Sequence, residues 1–270
     1  MKTYCRVLTV ATSDSGGGAG VQADLKAIAA NGGYGLSVFA ALTAQNTTGV
    51  RGIYALPVDF VNLQLDAVLS DIGADAVKIG MLFSVELMEA VARKLKEYHA
   101  PRIVLDPVMV AQSGDRLIQE DAVEALKTVL MPLSELITPN LPEAEALLGR
   151  SIRRMEDMEQ AAVDLMAFGC RNVLVKGGHV VGDGGSHDVL HLGDSGRTLR
   201  LSGERIATRN NHGTGCTLSS AIAAHLARGE DVETAVRNAK AYITEAIRAG
   251  AAYQVGAGAG PVHHFWKYWE

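Results

Sequence analysis

An open α/β sheet, mostly parallel and flanked by helices on both faces, is the fold this chain predicts. Short β-rich runs alternate with helical periodicity from one end to the other, at lengths that suit strand–helix–strand units. Of the 270 residues, 48% are apolar, enough for a sizeable core. No Pro/Ser-rich linker interrupts the pattern, and no repeat of about 20–50 residues does. Residues 1–270 therefore read as one domain, a size that a single core can serve.

The elements follow in order. Residues 7–11 carry a buried-strand pattern and run into a glycine-rich loop. Val21, Leu25, Ile28 and Ala29 then mark one face of a helix. A second strand pattern covers 36–41, and Val61, Leu65, Val68 and Leu69 mark the next helix. Strand 76–79 precedes helix 85–98, and strand 103–105 precedes a helical stretch at 122–129. Strand 136–138 leads to a helix at 142–148 with proline near its first turn. Helical periodicity over 158–168 leads to strand 173–175, and 188–192 with 198–201 reads as a hairpin. Helices at 217–227 and 232–249 follow. The tail is glycine-rich over 256–261 and then aromatic, with Phe265, Trp266, Tyr268 and Trp269.

Charge and cysteine usage exclude several classes. The formal net charge is −5, with no basic stripe, so a nucleic-acid partner is not expected. An anionic ligand must then be met by local groups rather than by the global field. Cys5, Cys170 and Cys216 are odd in number and widely spaced, which suits neither a zinc site nor a disulfide framework. A reducing, cytoplasmic setting is expected, with no signal segment and no apolar run long enough for a membrane span. The 29 glycines exceed the usual share of about 7% and fall in clusters, as in loops that let backbone approach a ligand.

Open α/β sheets bind ligands outside the carboxyl ends of their strands. The polar residues at those ends are Ser13 and Asp14, Thr43 and Gln45, Lys78, Asp106, Asn140 and Lys176. The strongest motif is Asn211-His212-Gly213-Thr214-Gly215-Cys216-Thr217, directly before a helix. Its small residues leave amides open at a helix N-terminus, where the macrodipole also favours phosphate oxygens. Ser13 to Gly20 is glycine-rich, but Val21 stands where a dinucleotide fingerprint needs its third glycine. No Gly-Lys pair exists for a P-loop. This loop instead suits backbone lying against a flat substrate. In Thr138-Pro139-Asn140-Leu141-Pro142-Glu143, Asn140 and Glu143 lie three apart at a helix start. Asn140 can cap that helix, or the pair can serve a hydrated Mg²⁺ held through one carboxylate and substrate phosphates. Lys176-Gly177-Gly178-His179 places a compact cation at a strand end, within reach of phosphate.

Together these segments resemble the ribokinase-like superfamily. More narrowly, they resemble its hydroxymethylpyrimidine/phosphomethylpyrimidine kinases of thiamine synthesis. The resemblance also takes in Gln22-Ala23-Asp24, Thr43 to Thr47, Lys78-Ile79-Gly80-Met81, Val104 to Met109 and Gly260 to Phe265, nearly end to end. It implies a ribokinase-like fold without the separate lid domain of sugar kinases, and a homodimer. It implies ATP and Mg²⁺ as cofactors and leaves a monovalent cation open. Gln45 is expected to hydrogen-bond the aminopyrimidine ring, with Asp24, Gly18, Ala19, Met81 and Val108 shaping its pocket. Asp106, Asn140 and Lys176 are expected to bind ATP, with Glu143 on the metal. Gly213, Thr214, Gly215 and Cys216 are expected to form the anion hole, Cys216 standing where the superfamily usually has an Asp base. Thr12, Gln112 and Asn211 depart from the family pattern: Thr12 narrows the substrate edge and Gln112 alters contacts near the nucleotide. A pyridoxal/pyridoxine kinase on the same scaffold is the nearest alternative. A non-catalytic ligand-binding protein is the alternative from a different class.

Overall fold

The structure is a computed structural model and describes residues 2–109, 120–178 and 185–269. Ten strands and eight helices are seen among them. Strand β1 (Arg6–Ala11) is followed by α1 (Gly20–Ala30), β2 (Tyr34–Phe39), β3 (Ala41–Asn46) and β4 (Gly49–Ala55). Then come α2 (Val58–Asp71), β5 (Ala76–Ile79), α3 (Val85–Glu97), β6 (Ile103–Leu105), α4 (Glu120–Ala125), β7 (Leu136–Ile137) and α5 (Leu141–Leu148). The remaining elements are α6 (Met155–Leu165), β8 (Asn172–Lys176), β9 (Asp188–Leu192), β10 (Arg197–Leu201), α7 (Thr214–Ala227) and α8 (Val232–Gly250).

Eight strands form one sheet in the order β10-β9-β8-β7-β6-β5-β1-β2. Every pairing from β2 to β8 is parallel, while β9 and β10 add antiparallel at the far edge. Parallel strands covered on both faces must be apolar on both faces, and these are. Leu8 and Val10 pack into one layer with α2, α3, α5 and α6. Val7, next to Leu8 and pointing the other way, packs into the opposite layer with α1, α7 and α8. Helix α7 lies innermost: every residue from Thr217 to Ala227 is buried. Burying one large aliphatic side chain in this way is worth about 1.5–3 kcal/mol, which fixes the helix against the sheet.

β2 lies on one side of β1 and β5 on the other, so the chain reverses direction at β1. A crevice opens at the carboxyl ends beside such a reversal. The segments after β1, β5, β6, β7 and β8 all empty there, and α7 starts there.

The expected strand over 36–41 is two elements. β2 ends at Phe39, and β3 then leaves the sheet to pair antiparallel with β4 as a separate two-stranded ribbon. Thr43 and Gln45 thus sit on a ribbon strand and not in a loop. The polar run Thr43-Ala44-Gln45-Asn46 lacks strand-like apolar alternation, and β4 is largely exposed. The register slips between Ala44 and Gln45. The helix expected over 122–129 begins as α4 and continues through a π-helical turn at Leu126–Leu130.

Candidate active site

Gly213 caps the start of α7, and its φ of 77° lies in the left-handed region that side chains disfavour. A Cβ there would fall 1.8 Å from the carbonyl oxygen of Gly18, so the turn and the β1–α1 loop meet backbone to backbone. The Thr214 amide donates to the Asn211 carbonyl at 3.3 Å, and the Thr217 amide donates to Gly213 at 2.9 Å. The amides of Gly215 and Cys216 have no backbone acceptor among the described residues. Two donors therefore open into the crevice at the positive end of a 14-residue helix. A Cβ on Gly215 would stand 3.3 Å from Lys176 Nζ and 3.5 Å from Asp106 Oδ2, which places both side chains at this turn.

Lys176 at the end of β8 pairs with Asp106 at the end of β6, Nζ to Oδ1 at 2.7 Å. Thr138 after β7 adds a hydroxyl bond to Asp106 Oδ1 at 3.1 Å. Burial pushes the Asp106 carboxyl up, but Lys176, then Lys78 and the two hydrogen bonds hold it below the usual carboxylate range. Burial pulls Lys176 down, and Asp106 and Glu143 lift it above its ordinary value.

Asn140 and Glu143 form a full capping box on α5. Asn140 Oδ1 accepts from the Glu143 amide at 2.9 Å, and Glu143 Oε2 accepts from the Asn140 amide at 2.7 Å. The capping role of Asn140 thus holds, and its side-chain NH₂ lies outside the box. Glu143 is only 5% exposed. Burial raises its carboxyl to about 7; Lys176 pulls it down, Asp106 adds to the rise, and the Asn140 amide lowers it. A buried carboxylate with one oxygen outside the cap fits a hydrated Mg²⁺ held mainly by substrate phosphates. Among the described residues no three His, Cys, Asp or Glu side chains group into a metal cage.

Cys216 is half-buried as a residue, and its thiol is desolvated. Burial pushes it up to about 11 against the opposing pull of Lys78, with Asp24 and Asp106 adding to the rise. The thiol is therefore protonated near neutral pH, which disfavours a strongly basic cysteine.

Across the crevice, Ser15 clamps the backbone of Gln45, its hydroxyl accepting from the amide and donating to the carbonyl at 2.8 Å each. The Gln45 side chain reaches the His212 ring, nitrogen to nitrogen at 3.4 Å. Met81 and Val108 follow β5 and β6 and are partly exposed at the rim. Thr12 is 7% exposed and turns its hydroxyl to the Met81 carbonyl at 3.2 Å, so it braces two strand ends. Asn211 accepts from the amide and hydroxyl of Thr214, the hydroxyl at 2.7 Å.

Two of the expected pocket residues are buried in the described structure. Asp24 is 0% exposed, and its carboxylate is taken up by the Thr9 hydroxyl at 2.7 Å, the Ser220 hydroxyl at 2.8 Å and Lys78 at 2.9 and 3.0 Å. It braces the Lys78 ammonium from below the rim. Gly18 is buried against His212 and Pro261: a Cβ would come 2.5 Å from His212 Cδ2. It lets loop and turn meet, while Ala19 beside it stays partly exposed. Gln112 and His179 lie outside the described residues.

Sequence reasoning left three residues without roles. Lys78 is fully buried in the pair with Asp24. Burial lowers it, but Asp24, Cys216 and Asp106 hold its ammonium above the ordinary range. Asp14 and His212 join the two glycine-rich segments at 2.9 Å. The signal was present, since each stands inside a motif already picked out, but the pairing of distant segments is not visible in periodicity.

A helix start with open amides, an acid–lysine pair and a capped glutamate therefore meet at one rim, facing an amide on the ribbon. The profile of the phosphomethylpyrimidine kinase family matches residues 14–263. The hydroxymethylpyrimidine/phosphomethylpyrimidine kinase of Rhizobium meliloti is 50% identical over 264 residues, covering 97% of this chain and 98% of that protein. The thiamine biosynthesis bifunctional protein ThiED of Geobacter sulfurreducens is 54% identical over 258 residues; they make up 96% of this chain but only 52% of that protein. The chain thus spans about half of the fused relative and nearly all of the unfused one. Among solved structures, an ADP complex of Bacillus subtilis pyridoxal kinase superposes with a TM-score of 0.89 at 35% identity, covering 97% of this chain and 98% of that one. That neighbour carries the same ribokinase-like fold, and a match over 14–263 leaves little of the chain outside it: the protein belongs to the phosphomethylpyrimidine kinase family.

Proposed function

We propose that this chain, acting as one kinase domain, transfers the γ-phosphoryl of ATP to the hydroxymethyl of 4-amino-5-hydroxymethyl-2-methylpyrimidine. It then phosphorylates the monophosphate to the diphosphate, in the cytoplasm, for thiamine synthesis. One observation carries the reading: the open amides of Gly215 and Cys216 stand beside Lys176, where a migrating phosphoryl would need donors. Phosphoryl transfer is largely positioning plus charge stabilisation, and donors fixed in advance supply both.

In this reading Gln45 holds the ring, with Met81 and Val108 at its edges. Lys176 meets ATP phosphate, with Asp106 fixing its ammonium and Asn140 turning its free NH₂ to the nucleotide. Glu143 holds Mg²⁺, which neutralises phosphate charge when bound. A loose transition state releases the alcohol proton late, so the protonated Cys216 need only guide it. Cys216→Ala is accordingly expected to lower turnover by about 10²-fold, the low end for an acid–base group. A kcat within threefold of wild type would remove Cys216 from the reaction. Product mass after incubation with Mg-ATP and the pyrimidine alcohol tests the whole proposal: one and then two phosphates are expected, and no gain refutes it.

Glu143 gives a pH prediction. Its carboxyl sits near 7 before metal binds, and Mg²⁺ favours the ionised form. Apparent Mg²⁺ affinity should therefore rise with pH up to about 7, by as much as tenfold per unit, and level off above it. Titrations of Mg²⁺ against turnover from pH 5.5 to 8.5 test this. A flat profile contradicts it, and Glu143→Gln should remove the slope.

The ribbon exposes Leu42, Ile53 and Tyr54, and α2 exposes Phe60 and Leu63. Such apolar groups suit a second copy of the chain, which supports a homodimer. Sedimentation at micromolar concentration is expected to give twice the chain mass; the single-chain mass would refute the dimer. The likeness to a Bacillus pyridoxal kinase favours pyridoxal as a second substrate, and side-by-side kcat/KM values decide its rank.

A further inference from the structure

We propose that His212 sets which way the Gln45 amide faces, so that the pocket reads an amino group beside a ring nitrogen and rejects a carbonyl beside a ring N–H. The inference rests on the reading above, in which Gln45 meets the ring.

Proton accounting leads to it. Asp14 Oδ1 accepts from the Gly16 amide at 2.8 Å. Asp14 Oδ2 accepts from Gly18 at 3.0 Å and Ala19 at 2.8 Å, and it lies 2.9 Å from His212 Nε2. Burial pushes this carboxyl up, but the bond to His212 and the loop amides hold it below the usual range, so it is ionised at neutral pH. An ionised carboxylate only accepts. His212 Nε2 must therefore carry the hydrogen.

The same Nε2 lies 3.4 Å from the end of the Gln45 amide. An N–H cannot bond an NH₂. The two ends of an amide exchange places by a half-turn, and the network decides between them. The carbonyl end, Oε1, is the one that can share the Nε2–H, as the longer arm of a bifurcated bond whose shorter arm goes to Asp14. Gln45 is not free to evade this choice, because Ser15 pins its backbone on both sides. Nor can the ring easily drift: Gly18 has no room for even a Cβ against it, and Pro261 closes the same side.

The consequence is chemical. With one lone pair turned to His212, Oε1 keeps a second for the ligand, beside the NH₂. That edge complements a ring nitrogen flanked by an exocyclic amine, as on a 4-aminopyrimidine. A 4-oxo analogue, with its ring N–H and carbonyl, shows the reverse pattern and would leave buried donors and acceptors opposed. His212 is thus a positioning residue. It acts through Gln45 and does not touch the substrate.

The test is the ratio of kcat/KM for the 4-amino alcohol to that for the 4-oxo alcohol, in wild type, His212→Phe, His212→Ala and Gln45→Leu. His212→Phe keeps the ring volume without the N–H, and His212→Ala covers a failure of the phenylalanine variant to fold. Freed from His212, the amide can flip to suit either ligand. The ratio should then fall by roughly tenfold or more, because the 4-oxo alcohol becomes a better substrate relative to the 4-amino one. A merely structural role would lower both rates together and leave the ratio unchanged, which overturns the inference. Gln45→Leu separates the two levels. If it collapses the ratio while both His212 variants keep it, only the orienting role falls. If Gln45→Leu leaves the ratio intact, the reading of Gln45 falls and the inference with it.

Discussion

Gly213→Ala is expected to lower turnover by about 10²–10³-fold, the range for losing one aligned donor at a transition-state oxyanion. Two penalties coincide at this residue. Its φ of 77° strains any side chain, and the new Cβ would meet the Gly18 carbonyl oxygen at 1.8 Å. The second penalty matters more for catalysis. The turn must back away from the β1–α1 loop, and the amides of Gly215 and Cys216 turn with it. Gly229 is the control: its φ is 88°, but nothing stands within 4 Å of a Cβ there. Gly229→Ala should cost about as much backbone strain and leave kcat unchanged. Similar kcat values for the two variants would show that strain alone, and not donor placement, limits the Gly213 variant.

Lys78→Met should be the most destabilising single change, by about 3–5 kcal/mol, the usual loss when one member of a buried ion pair is removed. Lys78 and Asp24 are both 0% exposed, so the orphaned carboxylate would keep the Thr9 and Ser220 hydroxyls but lose its cation. At about 2–4 °C per kcal/mol for a chain of this size, the melting midpoint should fall by roughly 10 °C. Asp24→Asn with Lys78→Met removes both charges and should recover most of the loss. Urea melts check both variants. A single variant within 1 kcal/mol of wild type would mean that the pair is not buried as described.

The places where chemistry would sit were legible because strand ends can be found from apolar runs. Asp106, Asn140 and Lys176 each follow such a run, and a parallel sheet gathers those ends at one rim. The glycine turn before α7 was legible from its small residues. Two things were not. The ribbon of β3 and β4 carries a weak apolar pattern, since it packs against loops and leaves Leu42, Ile53 and Tyr54 exposed. Its position depends on contacts such as the Thr43 hydroxyl on the Ser13 carbonyl, which join residues 30 apart in sequence. Asp24 was assigned to the pocket by the family resemblance alone, and its partners in the fold were not legible. Only the fold shows that Lys78, 54 residues on, lies against it. The His212–Asp14 contact spans 198 residues and leaves no periodic trace.

The central claim is that the first turn of α7 grips the phosphoryl group in flight. Amide resonances of Gly215 and Cys216 report on it directly, with the protein titrated with Mg-ADP, aluminium fluoride and the pyrimidine alcohol to mimic the transfer. The largest shifts in the spectrum are expected at these two amides, and they should vanish when fluoride is omitted. Resonances that stay in place while the rest of the rim responds would contradict the claim.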